Sequence, residues 1–168
     1  MRSSAISLKR WQALEPPNQA VVLKLEVSEQ QVEYAGTIER AIASCEEDKE
    51  NDVAGLVIKD GDAIVGFLVL KRRSKAPEWA GPQAAVVSAM RIDKGHQGKG
   101  VGSQTLQAVA WWVAANWPES STLTLSVDEE NVLGLRAYTR AGFIDHGVRV
   151  QGRIGWVRYM SRPVVSAS

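Results

Sequence analysis

The segment that most constrains this chain is Met90-Arg91-Ile92-Asp93-Lys94-Gly95-His96-Gln97-Gly98-Lys99-Gly100-Val101-Gly102-Ser103. An apolar run from Gln83 to Ile92 leads into it, and a helix-periodic stretch from Gly100 to Trp117 leads out, stopped by Pro118. A strand, a polar glycine-rich turn and a long helix are therefore predicted in succession. Glycines let the backbone take left-handed dihedrals and come close to a ligand. The unpaired N–H groups that open a helix form an anion site, strengthened by the helix dipole. A pyrophosphate fits such a turn, and Lys99 adds positive charge beside it. The spacing matches neither the phosphate loop of nucleotide hydrolases nor the dinucleotide fingerprint. By itself the turn also suits a tight strand-to-helix connection with no ligand.

The rest of the chain supplies partners for that strand. Ala54 to Lys59 and Ala63 to Leu70 are apolar runs joined by Asp60-Gly61-Asp62, a strong hairpin signal. Thr122 to Val127 reads as a strand and Asn131 to Ala141 as a helix with Gly142 at its C-terminal cap. Phe143 to Val150 and Trp156 to Met160 read as a closing antiparallel pair. Upstream, Val21 to Val27 alternates like a strand. Ser28 to about Lys49 turns helical, with Ser28 as N-cap and Gly36 separating two short helices. Lys71 to Gly81, with Pro77, is a loop. The order predicts an α/β domain of mixed character around one central sheet. The 168 residues suffice for a single domain, 1–168.

Bulk properties exclude several classes. A net charge of +1 gives no general affinity for nucleic acid or membranes. The longest apolar stretches are far below the ~20 residues that span a bilayer, and Met1 to Arg10 lacks the apolar centre of a signal peptide. The single cysteine, Cys45, allows no internal disulfide and no Cys-rich metal site. A cytoplasmic location is the expectation.

Two motifs carry a resemblance. Gln97-Gly98-Lys99-Gly100-Val101-Gly102 resembles the Gln/Arg-x-x-Gly-x-Gly/Ala signature of the GNAT family of N-acetyltransferases. About thirty residues on, Asn131 to Phe143 is similar to that family's Asn-x-x-Ala/Gly/Ser-x-x-x-Tyr-x-x-x-Gly-Phe motif, every anchor present. The likeness covers roughly Val53 to Tyr159, with core motifs in 53–160. It implies the GNAT fold: a twisted, mostly antiparallel central sheet flanked by helices. It also implies acetyl-CoA as cosubstrate and no metal. Backbone contacts to the pantetheine arm are implied for Met90, Arg91 and Ile92. Contacts to the pyrophosphate are implied for Gln97, Gly98, Lys99, Gly100, Val101 and Gly102, with Ser103 next and Asn131 on the arm. Tyr138 would protonate the leaving thiolate. A phenol of ordinary pKa about 10 can donate to the charge that builds on sulfur. The alternative is a coenzyme-binding sensor without turnover.

The family's frequent acid on the strand before the turn is absent, because Ala84 to Met90 holds none. Ser88, Glu78, Asp128, Glu129 and Glu130 remain as candidates to move the proton, while His96 is expected near the coenzyme and His146 to be ordinary. In the family this region commonly walls the acceptor site, and its nine acids from Glu26 to Asp52, against Lys24, Arg40 and Lys49, either attract a cationic small-molecule amine or form a solvated helix face; aminoglycosides, protein N-termini and amino-acid-like amines stay open as acceptors. Val27 to Gln31, Gly66-Phe67 and Met90-x-Ile92-Asp93 look like the bacterial diamine and polyamine subgroup. Trp79 and Trp156 are candidates for an aromatic wall. The family commonly dimerises, so a homodimer is left open.

Overall fold

A computed structural model describes residues 5–165. The two ends of the 1–168 domain expectation, and Met1 to Ser4 of the leader reading, lie outside them. In chain order the elements are β1 (Ile6–Arg10), α1 (Pro16–Leu23), α2 (Glu29–Ala35), α3 (Ile38–Glu46), β2 (Val53–Asp60) and β3 (Ala63–Lys71). Then come β4 (Ala84–Ile92), α4 (Val101–Asn116), β5 (Thr122–Asp128), α5 (Val132–Arg140), β6 (Ile144–Gln151) and β7 (Trp156–Pro163). Short 3-10 turns, including Glu78–Ala80, fill the β3–β4 connection.

The strands form one seven-stranded sheet in the order β1-β2-β3-β4-β5-β7-β6. Every pairing is antiparallel except β4 with β5. Helices cover both faces, so central strands read as continuous apolar runs rather than alternating ones. On one face α4 packs Leu106, Val109, Val113 and the capping Trp117 against Ile58, Leu68, Leu70, Val87 and Leu125. On the other, Val22 of α1 and Ile42 and Cys45 of α3 pack against Val57, Phe67 and Val69. Each such apolar side chain contributes roughly 1.5–3 kcal/mol when fully buried. Cys45 is a core residue, and burial pushes its thiol up to about 11.

One expectation is corrected. Val21 to Val27 is not a strand: Pro16–Leu23 is helical and the chain from Lys24 to Val27 is irregular. Pro16 and Pro17 occupy the first helical positions, where a missing N–H costs nothing and a fixed φ favours the helix. That signal outweighs a brief Val/Leu alternation. The first strand, Ile6–Arg10, carries only a faint sequence signal because it is a short edge strand with half-buried and exposed positions in turn. It pairs with β2 from Ile6↔Asp60 to Arg10↔Leu56.

Two irregularities open the sheet. β4 and β5 pair only at Ala84↔Thr122, Ala85↔Leu123 and Val86↔Thr124. From there β5 stays with β7 as far as Asp128↔Val157, while β4 stays with β3 as far as Gly66↔Ile92. A wedge therefore opens between Val87–Ile92 and Leu125–Asp128. The register of β4 against β3 also slips between Phe67 and Val69, where Ala89 takes φ 54°. A left-handed residue other than glycine costs roughly 1–2 kcal/mol. Opposite the bulge, a side chain on Gly66 would collide with the Arg91 carbonyl oxygen, so only glycine lets β3 approach β4 there.

Candidate active site

The wedge leads into a groove of ≈ 290 Å³ bounded by β4, the glycine turn and α5. Met90, Arg91, Ile92, Gln97, Gly98, Gly100, Val101, Gly102, Ser103, Asn131 and Tyr138 all line it. The two separated motifs of the sequence are thus brought together, with Lys99 in the same turn. Past Val86 the outer edge of β4 has no strand partner, leaving its backbone groups to face the groove. Such an edge suits a ligand carrying amides in an extended chain.

The turn is shaped in advance. Gly98 and Gly100 have φ 77° and 79°, and Gly100 caps α4 in the left-handed region. A Cβ at either position would meet no protein atom within 4 Å. Protein packing therefore does not demand these glycines; the dihedrals and the open groove do. The Gln97 amide donates to the Ile92 carbonyl at 2.8 Å, tying the turn back to β4. The Asp93 carboxylate accepts from the Glu26 N–H at 2.8 Å and the Gly95 N–H at 3.3 Å, and it faces His96. Burial alone would push its carboxyl up, but those donors outweigh it and hold it below the ordinary range. Gly102 lets α4 approach α5, since a Cβ there would lie 3.3 Å from Ala137 Cβ.

At the start of α5, the Asn131 side-chain oxygen Oδ1 accepts from the Gly134 N–H at 3.0 Å and so caps the helix. A Cβ at Gly134 would strike the Asn131 amide at 2.5 Å, which explains the small residue three places on. Arg136 and Arg140 also line the groove, as do His96 and Gln31. The two arginines were missed in the sequence. Their i,i+4 spacing on a helix already anchored by Asn131 and Tyr138 was the available signal.

Arg91 behaves differently from its neighbours. Its backbone borders the groove, but its side chain is buried on the opposite face. Its guanidinium donates to the carbonyls of Ala89 at 3.1 Å, Gly36 at 2.9 Å and Ala35 at 3.1 Å. It staples the β4 bulge to the end of α2. Hydrogen bonds to charged groups are worth ~1.5–3 kcal/mol, and truncation would also leave buried carbonyls unpaired. Arg91→Met is therefore expected to lower the melting temperature by several degrees, by about 4 °C or more. Equal melting curves for the two proteins would remove the staple.

A second, smaller cavity of ≈ 60 Å³ lies across the wedge. Gln31, Tyr34 and Ala35 of α2 line it, with Val87 to Met90 of β4, Ser126 to Asp128 of β5, Asn131 and Tyr138. Tyr138, Asn131, Met90 and Gln31 thus belong to both spaces. Burial, with the charge of Asp128 second, pushes the Tyr138 phenol up to about 12. Burial also raises the Asp128 carboxyl; Glu130 adds to this, while Arg153 and Asp128's own N–H oppose it. Tyr34 is raised by burial and then by Glu130 and Asp128.

Of the acids considered from the sequence, only Asp128 reaches this cavity, beside Ser88, whose hydroxyl donates to the Val69 carbonyl at 3.4 Å. Glu129 is held by Arg149 and Arg158. His146, on the exposed β6 strand, pairs with Ser161 of β7. The acids expected to rim the acceptor divide. Glu46 accepts from the Trp11 indole, Asp48 takes the N–H groups of Asp52 and Val53, and Asp52 pairs with Arg72 and Arg73. Those three hold the fold, whereas Glu33 adds its field at Tyr34. Trp156 lies under Arg149, and Trp79 stacks on Tyr159 with ring centroids 4.4 Å apart. Tyr159 is the register partner of Ser126, so that stack stands beside the small cavity. Among the described residues no group of three or more His, Cys, Asp or Glu is placed to hold a metal ion, and no helix is long and apolar enough to cross a membrane.

The family model for the acetyltransferase (GNAT) family matches residues 9–143. The chain belongs to the GNAT family. It is a GNAT-type N-acetyltransferase by that membership. The chain is 28% identical over 135 residues to a spermine/spermidine N(1)-acetyltransferase of Bacillus subtilis, covering 80% of this chain and 87% of that protein. It is 28% identical over 102 residues to the uncharacterized N-acetyltransferase YbbJ of B. subtilis, covering 60% of this chain and 63% of that relative, less than two thirds of its length. The GNAT fold recurs in the aminoglycoside acetyltransferase AAC(6')-Ib bound to paromomycin and acetyl-CoA, with TM-score 0.76, 16% identity and coverage of 95% of this chain and 93% of that one. It recurs again in the Vibrio cholerae spermidine N-acetyltransferase bound to CoA and spermine, with TM-score 0.69, 18% identity and coverage of 94% and 95%.

Proposed function

We propose that this GNAT protein moves the acetyl group of acetyl-CoA directly onto a primary amine, with Tyr138 as the acid at the departing sulfur. The observation that carries the reading is the position of Tyr138 on both the long groove and the small acidic cavity. A thioester reaching down the groove and an amine entering the cavity meet at its hydroxyl.

The chain's residues divide the work. The N–H groups of the turn from Gln97 to Gly102 receive the pyrophosphate at the start of α4. Arg136 and Arg140, which line the groove, and Lys99 of the same turn supply positive charge for the phosphates. The unpaired edge of β4 from Met90 to Ile92 bonds the amides of the pantetheine arm, and Asn131 steadies its end. The raised pKa keeps Tyr138 neutral, and hence a donor, throughout the physiological range. A thiol near pKa 8.5 is the stronger acid, roughly, so complete transfer from the phenol alone is uphill. Tyr138 therefore donates a hydrogen bond as the C–S bond lengthens. It yields its proton only as nitrogen gives one up.

The acceptor is read as a cationic amine. The small cavity is bordered by Asp128, with Glu33 and Glu130 contributing to the field at Tyr34. The likeness to polyamine acetyltransferases points the same way. The test follows free thiol from acetyl-CoA with spermidine, a diamine, an aminoglycoside and a peptide amine. Rapid release with a cationic amine is expected. Coenzyme binding without release for any of them would favour a sensor.

A further inference from the structure

We propose that Asp128 is the general base that takes the proton from the acceptor's ammonium group, in place of the acid that β4 lacks. The inference rests on the acetyl transfer proposed above and assigns its missing half.

The geometry supplies the argument. β4 presents Val87, Ser88, Ala89 and Met90 to the small cavity, with no carboxylate among them. Across the wedge β5 ends on Asp128, which reaches the same cavity because the two strands separate after Val86. The cavity holds an amino group or a few waters and little more. An amine there lies between Asp128 and Tyr138, with the thioester arriving from the groove. The groups facing Asp128 are Tyr34 of α2, Tyr138 of α5, Glu130 beside it and Arg153 from the β6–β7 turn. Arg153 itself donates to the Glu33 carbonyl, closing the α2 side. Among the described residues no cation makes an ion pair with Asp128, in contrast to Glu129, Asp145 and Asp52. Its carboxyl, raised by burial, is a stronger base than a solvated carboxylate.

The proton account closes. Asp128 accepts one proton from the ammonium and passes it to water. The nitrogen lone pair then forms the C–N bond. As the C–S bond breaks, nitrogen loses its second proton, balancing the one delivered to sulfur through Tyr138. The products are an amide, a thiol and one proton in solvent.

The experiment compares Asp128→Asn, Ser88→Ala and the unaltered protein with n-propylamine, an ammonium ion at neutral pH, and trifluoroethylamine, whose fluorines leave it largely unprotonated. For Asp128→Asn, kcat/KM with n-propylamine should fall on the order of a hundredfold. With trifluoroethylamine the loss should stay below about threefold, since no proton must be removed before attack. Acetyl-CoA affinity and melting temperature, measured in parallel, should not move. Equal losses with both amines would mean that Asp128 shapes the cavity without acting as a base. A raised KM at unchanged kcat would make it a cation anchor. Either result overturns the proposal, as does a selective loss in Ser88→Ala alone. Turnover in the unaltered protein with no effect of Asp128→Asn sinks the Asp128 assignment only. Absence of turnover with every amine, there and in the wider panel, sinks the transfer reading itself.

Discussion

Tyr138→Phe is expected to lower kcat by roughly ten- to a thousandfold, the usual scale for loss of a general acid, with acetyl-CoA affinity held within about twofold. The two halves have separate causes. The phenol oxygen is the only atom removed, and the ring keeps its packing beside Phe143, 6.0 Å away between centroids. The turn at Gly98 to Gly102 and the edge of β4, proposed to hold the coenzyme, lie on the groove and are untouched by the substitution. The ground-state thioester has little charge on sulfur, so the lost hydrogen bond is felt mainly in the transition state, which lowers kcat with little change in binding. The pH profile offers an independent check. A phenol raised to about 12 stays protonated well beyond the ordinary tyrosine range, so activity should not decline through pH 10 on its account. Unchanged kcat in the variant would remove Tyr138 from the acid's role.

Gly100→Asp should weaken acetyl-CoA binding by about a hundredfold. One unit charge at roughly 5 Å from a phosphate, at an effective dielectric near 20, costs about 3 kcal/mol, and tenfold in affinity is about 1.4 kcal/mol. The substitution alters more than charge, because Gly100 sits at φ 79°. Asparagine tolerates that region best among ordinary residues and has nearly the shape of aspartate. Gly100→Asn therefore separates strain and bulk from electrostatics. A Cβ at Gly100 meets no protein atom, so both variants should fold. Calorimetry should place Gly100→Asn between the unaltered protein and Gly100→Asp. Equal affinities for the two variants, or wild-type affinity in Gly100→Asp, would move the pyrophosphate away from this turn.

Much was legible before any tertiary structure. The hairpin at Asp60-Gly61-Asp62, the helices on either side of Gly36, and the strand–turn–helix around Gly98 to Gly102 depend on local rules of glycine dihedrals, caps and periodicity. Ser28 does cap α2, accepting from the Gln31 N–H at 3.1 Å. The two motifs announced the family because their spacing reflects one geometry, a groove between the turn and α5.

Other features were beyond local rules. Val21 to Val27 looked like a strand because alternation over a few residues is ambiguous, and Pro16 and Pro17 set the helix from outside that window. The roles of Glu46, Asp48 and Asp52 were invisible, since their partners lie well away in the chain or depend on how it turns. Arg91 stands in the middle of the segment expected to meet the coenzyme, yet its side chain crosses the sheet to hold α2. Strand alternation sends successive side chains to opposite faces, but what waits on each face is a tertiary fact.

The sequence by itself determined the strand–turn–helix, the glycine-rich shape of the turn and the place of the Tyr138 phenol on α5, because each follows from residues within a few turns of one another. Only the tertiary structure decided that β4 and β5 part after Val86, that the Ala89 bulge is held open by Arg91, and that Asp128 and Tyr138 share one small cavity. Those outcomes depend on where strands stop pairing and on burial, which are properties of the packed chain as a whole.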